Sequence, residues 1–132
     1  MNTTATGHFD TISWDEHPFG EANGGPQLAR ASVTNTYHGE VEGRGTVEYL
    51  MMYHDDESAT FIGLEQIVGR LGGREGSFVL QHRGTYRDST ATGTWSVVPG
   101  SGTGDLAGLA GEGGFEARHG EPATYTLRFT LE

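Results

Sequence analysis

One carboxylate stands inside an apolar alternation in the stretch TFIGLEQIVGRL, Thr60–Leu71. As a strand, this stretch puts Phe61, Gly63, Glu65 and Ile67 on one face and Ile62, Leu64, Gln66 and Val68 on the other. A carboxyl group among apolar neighbours loses hydration, so it must hold its proton or find a donor or cation. Glu65 is therefore a candidate general acid or base, or a stabiliser of a passing cation. The plainer reading is a structural pair with Arg70, Arg74 or Arg83 inside the fold. The same reasoning singles out His82. SFVLQHRGTY, Ser77–Tyr86, sets Phe78, Leu80, His82, Gly84 and Tyr86 against Val79, Gln81 and Arg83. One short turn separates the two stretches, so imidazole and carboxylate can meet in one interior as an acid–base pair. A core histidine satisfied by a single hydrogen bond accounts for the same letters.

Glu48 is the third candidate. In TVEYLMMYH it shares a face with Leu50 and Met52, opposite Val47, Tyr49, Met51 and Tyr53. Pointing inward, it adds a second interior carboxylate that interacts with Glu65. Pointing outward, it is solvated, and Tyr49 and Tyr53 line the interior instead. Around these three, Trp14, Tyr37, Tyr49, Phe61, Phe78, Gln81 and Trp95 are the expected lining of a pocket for a small apolar ligand. As plain core they need no ligand. His54–Glu57, HDDE, offers four metal-ligand types in a row, but successive strand residues point apart, and a solvated turn explains them. The sequence has no His-x-His pair and no His-Glu-x-x-His, so no metal is expected.

Composition removes whole classes of chemistry. The 132 residues carry a net charge of −10, and no Lys and no Cys occur. Without Lys there is no phosphate-loop lysine and no Schiff base. Without Cys there is no thiol nucleophile, disulfide or thiolate metal site. An acidic chain repels phosphates, so neither nucleic acid nor a membrane is an expected partner. The glycine-dense run Pro99–Gly114 lacks the Gly-x-Gly-x-x-Gly spacing of dinucleotide loops. No cofactor is expected. The opening MNTTATGHFD shows no basic stretch followed by an apolar run, and a cytoplasmic location is the expectation.

The elements that must position these residues are nearly all strands. The alternation predicts strands at Thr6–Trp14, Leu28–Val41, Thr46–His54, Thr60–Leu71, Ser77–Tyr86 and Thr90–Val98, around Phe115, and at Thr124–Leu131. Asp15–Pro26 reads as a loop, Glu42–Gly45 as a tight turn, and Asp105–Leu109 as one helical turn capped by Asp105. A helix competes for Phe61–Leu71, with Phe61, Leu64, Val68 and Leu71 on one side, against the cost of Gly63 and Gly69 within it. Eight strands joined by short turns suit an all-β fold, a closed antiparallel eight-stranded barrel, with residues 1–132 as one domain. A barrel strand has an inside and an outside. The apolar outside formed by Ile62, Leu64 and Val68 predicts a covering partner, hence a homo-oligomer. A buried helix, or cover by the Asp15–Pro26 loop, removes that need.

ASVTNTYHGEVEGRGTVEYLM, FIGLEQIVGRLGGREGSFVLQHRGTY and WSVVPGSGTGDLAGLAGEGGFE together resemble a bacterial family of uncharacterised proteins grouped with the allene oxide cyclase-like barrels. The likeness runs from about Thr6 to Leu131. It implies a closed eight-stranded barrel, usually oligomeric, with no proven activity. Relatives of that barrel include plant allene oxide cyclases, dirigent proteins and bacterial polyketide cyclases, which steer reactive intermediates without metal or organic cofactor. Their catalytic motifs are not matched, so no catalytic residue carries over. The resulting expectation is a small-molecule-binding barrel, acting as a cofactor-independent isomerase or cyclase on a flexible apolar substrate. The alternatives are a carrier of a hydrophobic metabolite and a structural oligomer with a filled lumen.

Overall fold

A computed structural model describes residues 3–19 and 26–131. Eight strands follow one another: β1 (Thr3–Phe19), β2 (Gln27–Gly39), β3 (Val41–Asp55), β4 (Ser58–Leu71), β5 (Arg74–Arg87), β6 (Thr90–Val97), β7 (Ala110–Arg118) and β8 (Ala123–Thr130). A single 3₁₀ turn, η1 (Gly104–Leu106), lies between β6 and β7. Each strand pairs antiparallel with its sequence neighbour, and β8 returns to β1 with Thr3 opposite Phe129 and Phe9 opposite Ala123, closing the barrel. Closure pairs every strand on both sides over at least part of its length, and β1 beyond Phe9 is paired with β2 alone. β4 is bonded along both sides, to β3 and to β5, which is why the helical reading of Phe61–Leu71 loses: every glycine in it is paired.

The alternation sorts inside from outside. In β8, Ala123, Tyr125, Leu127 and Phe129 are buried, and Thr124, Thr126 and Arg128 are exposed. In β4, Ala59, Phe61, Glu65, Ile67 and Leu71 point inward. In β3 the inward set is Val47, Tyr49 and Met51, so Glu48 faces out.

Three local expectations are overturned. Asp15–Phe19 is not loop but the continuation of β1, paired with Ser32 back to Leu28; the remainder of the expected loop, residues 20–25, lies outside the described residues. Within β1 a bulge falls between Thr11 and Ser13 and reverses the alternation, so Trp14 stands opposite the inward Val33. Glu42–Gly45 is not a turn either. It lies inside β3, with Gly43–Gly45 paired to both β2 and β4 and Glu42 to β4, and the chain reverses at Gly39–Glu40, where Gly39 takes φ 108°. The helical turn is capped by no side chain: the Leu106 amide donates to the Thr103 carbonyl at 2.9 Å, and Asp105 does not cap. Thr103 instead ties this corner to β5 by donating its amide to the Ser77 carbonyl and by a 2.7 Å contact between the two hydroxyls.

The two ends of the barrel differ. At one, Val41, Leu71, Phe78, Val97, Leu106 and Leu109 fill the lumen. At the other, Trp14, Tyr53 and Tyr86 ring an opening. No helix among the described residues is long and apolar enough to cross a membrane.

Candidate functional site

Only three polar residues are buried among the described residues, Asn35, Glu65 and His82, and they touch one another. Their meeting follows from register. Glu65 stands opposite Leu80 on β5, so His82, two residues on, comes beside it on the same inward face. The His82 Nε2 lies 2.7 Å from Glu65 Oε1. The Tyr37 hydroxyl donates to the same oxygen at 2.8 Å, and the Asn35 amide donates to Oε2 at 3.1 Å. Thr11 then donates its hydroxyl to Asn35 Oδ1 at 2.7 Å, fixing which end of that amide faces the carboxylate. Glu65 accepts from both Tyr37 and Asn35, and with Nε2–H assigned to His82 it accepts all three bonds.

Gly45 makes the space for this. A Cβ placed there comes within 2.0 Å of Glu65 Oε2 and 2.9 Å of the Tyr37 ring. The expected arginine partners of Glu65 are not its neighbours: Arg70, Arg74 and Arg83 are all exposed.

With Nε2–H directed at Glu65, the other nitrogen of His82 is free to face Tyr49. Nδ1 lies 3.4 Å from the Tyr49 hydroxyl, and the two rings meet edge-on at 5.4 Å. Trp95 and Phe115 hold the imidazole from other sides at 5.2 and 5.5 Å. Assigning the tautomer from these partners makes Nδ1 an acceptor and Tyr49 its donor. Burial drives the phenols of Tyr37 and Tyr49 well above the usual tyrosine range, and the Glu65 charge adds to it. Both phenols therefore remain protonated donors across neutral pH.

Above this network lies a cavity of about 230 Å³. Phe9, Val33, Met51, Phe61, Phe115, Ala91 and Ala117 form its walls, Trp14, Tyr53 and Tyr86 its rim, and Thr11, Asn35 and Tyr49 bring polar atoms to it. Tyr53 donates to Glu16 at the rim, and burial together with that bond pushes its phenol up to about 12. Glu65 and His82 do not line the cavity. They sit one residue deeper, 0% and 1% exposed, and reach it through Asn35 and Tyr49.

Of the expected site residues, Glu65, His82, Tyr37, Tyr49, Phe61 and Trp95 converge on the inside, while Trp14 reaches the rim because of the β1 bulge. Tyr37, Phe78 and Trp95 are corrected from lining to packed core beneath the cavity. Glu48 is corrected to the outer wall, where it accepts from Ser32 at 2.9 Å and lies 3.8 Å from Arg30. Gln81 is corrected likewise, since it alternates against inward His82 and Leu80. Both border a broad outer depression of about 1060 Å³ that includes Leu50, Ile62 and Leu64. Asn35 and Thr11 were not singled out as candidates. The signal for Asn35 was its place in the inward series Ala31, Val33, Asn35, Tyr37, one amide among apolar side chains.

Residues 5–129 match the sequence model of a protein family of unknown function, DUF3224. The chain belongs to the DUF3224 family. The crystal structure of a protein of unknown function from the DUF3224 family of Shewanella oneidensis MR-1 is 36% identical in sequence and superposes with a TM-score of 0.81, covering 100% of this chain and 99% of that one. No curated protein matches the sequence. The DUF3224 barrel thus comes with a fold and no assigned activity, and the site must be read from its own chemistry.

Proposed function

We propose that this DUF3224 chain binds a small, mainly apolar molecule in the open half of its barrel and acts on it as a cofactor-independent isomerase or cyclase. The carrying observation is a hollow lined by apolar and aromatic side chains whose one polar end is backed by the Tyr49–His82–Glu65 chain. Its volume exceeds that of an apolar cavity that takes benzene, and suits a ligand on the order of ten non-hydrogen atoms. Enclosure by aromatic walls restrains a flexible substrate near its reactive shape, the largest effect this site can supply. With its proton directed at His82 Nδ1, the Tyr49 oxygen accepts a hydrogen bond from a ligand hydroxyl at the polar end, and His82 behind it is placed to take the proton passed along. The resemblance to allene oxide cyclase-like barrels supports the same reaction class by analogy.

A second reading, carriage without turnover, has its own support: no buried side-chain polar atom among the described residues lacks a partner, as in a site built to hold rather than react. Native mass spectrometry of the chain after incubation in cell extract separates the two. A retained molecule that is converted, with conversion lost in Tyr49→Phe, supports the isomerase. The same molecule recovered unchanged supports carriage. Retention of nothing, or retention that survives filling the hollow, overturns both.

We also infer that a second copy of the chain covers the outer wall. Arg30, Leu50, Ile62 and Arg83 form one cross-strand row, and Ser32, Glu48, Leu64 and Gln81 the next. A two-fold copy laid on these rows buries Leu50, Ile62 and Leu64 and sets Glu48 of each chain against an arginine of the other. The measured mass should be that of an oligomer, and Leu64→Arg should return it to one chain. A single-chain mass for the unaltered protein removes this inference.

A further inference from the structure

On the outer wall, away from the lumen, β1 and β2 place His8 directly opposite His38, with Asp10 two residues on along the same face. All three side chains are exposed. The His38 Nε2 lies 3.5 Å from Asp10 Oδ2. One ligand atom from each of the three residues lies within 4.8 Å of the others. Ligand atoms of a tetrahedral site with metal bonds near 2.0–2.1 Å stand about 3.3 Å apart. The His38–Asp10 pair already has that bite. The His8 ring, stacked on His38 with centroids 4.9 Å apart, reaches the third position by turning about its own side-chain torsions. Nothing in the enclosed site depends on these residues.

We propose that His8, Asp10 and His38 bind one divalent transition-metal ion. Two imidazoles and one carboxylate select zinc, cobalt, nickel or copper over magnesium and calcium, which prefer oxygen ligands alone. The neighbouring outward residues leave the charge balance favourable. Thr124 lies beside His8 and Thr36 beside Asp10, with Glu116 and Arg44 each one strand further out. The chain's net charge of −10 further favours a cation at the surface. Three protein ligands leave the remaining coordination position to water or to a ligand from outside, so the site is open in the manner of a reactive or bridging metal rather than a sealed structural one.

Titrating the full-length chain with zinc, and with cobalt for its visible absorption bands, tests the proposal. One ion per chain is expected, with cobalt bands shifted from those of the hydrated ion. His8→Ala and His38→Ala should each weaken binding by at least about tenfold, since even removing a partner that only orients a ligand costs 10–100-fold. Asp10→Asn should weaken it less. Circular dichroism should be unchanged in all three, because the side chains are exposed. His17→Ala is the control: His17 lies 3.2 Å from Asp15 elsewhere on β1, and its loss should leave zinc binding intact. Magnesium in excess should not compete. Absence of saturable binding overturns the proposal, as does binding insensitive to the paired His8 and His38 substitutions. Binding abolished by His17→Ala overturns it too.

Discussion

The two halves of the barrel use the same eight strands and the same alternation, yet one is solid and the other hollow. At the solid end the inward residues are large and aliphatic or aromatic, among them Leu71, Phe78, Leu80 and Leu127, and η1 drops Leu106 into the remaining space. At the hollow end the inward residues of the even strands shrink to Ala29 and Ala31 on β2, Ala59 on β4 and Ala91 on β6. Trp14, Tyr53 and Tyr86 stand at the rim, while Phe61 and Phe115 meet across the lumen at 6.3 Å. Pattern decides which side of a strand faces in; residue volume and the connection at each end decide whether the inside is filled. The Glu65 network lies at the boundary, where a fully packed environment can hold a charge and an open one can use it.

If that boundary is built for order, breaking it should produce the largest loss. Glu65→Ala strands the His82, Tyr37 and Asn35 donors in a dry interior. A buried donor left without a partner costs about 1–3 kcal/mol, so the three together cost about 3–9 kcal/mol. That is a large share of the roughly 5–15 kcal/mol that holds a domain of this size folded. Denaturant unfolding should show the unfolding free energy falling by that amount. A loss below about 1 kcal/mol would mean water enters this layer and the boundary drawn here is misplaced.

Volume changes at the two ends sharpen the comparison further. Leu106→Ala opens a hole in the solid end and should cost about 2–5 kcal/mol. Ala91→Leu adds volume to the hollow end, where room exists, and should change stability by less than about 1.5 kcal/mol. It should also abolish retention of any ligand in the extract experiment. Equal costs for the two would show that the cavity closes in solution.

Legibility in the sequence followed the same division. The closed all-β barrel could be read because period-two alternation persists in β4, β5 and β8, and short turns force antiparallel neighbours. The meeting of Glu65 and His82 could be read because one turn joins their strands. The side on which Glu48 stands could not, since alternation fixes relative and not absolute direction. Gln81 was misplaced although His82, next to it, was not: a pocket-lining role for both violates the strand's own period. Trp14 reached the cavity only through the bulge after Thr11, and a bulge leaves little mark in letters. His8 and His38 were invisible as a pair because they lie far apart in sequence and the bulge after Thr11 shifts the register between them.

The rim offers the smallest effect and the finest test of where the hollow ends. Tyr53 keeps contact with solvent, so Tyr53→Phe should cost about 0.5–1.5 kcal/mol at neutral pH, the worth of one hydrogen bond. Its pH dependence carries more information. A phenol raised from 10.0 to about 12 in the folded chain stabilises the fold fully below the unfolded value and loses that contribution as pH rises through the folded one. Tyr37 and Tyr49 are raised in the same direction by deeper burial, so stability should fall as pH climbs from about 10 upward. Phenolate absorbance followed alongside unfolding distinguishes the layers. Tyr53 should ionise in the folded protein near pH 12, whereas Tyr37 and Tyr49 should ionise only together with the loss of structure. Substituting Tyr53 should then remove the early step and leave the cooperative one in place. A Tyr49 that titrates with Tyr53, ahead of unfolding, would mean that water reaches the floor of the cavity, and the polar end would be a wet site rather than an enclosed one.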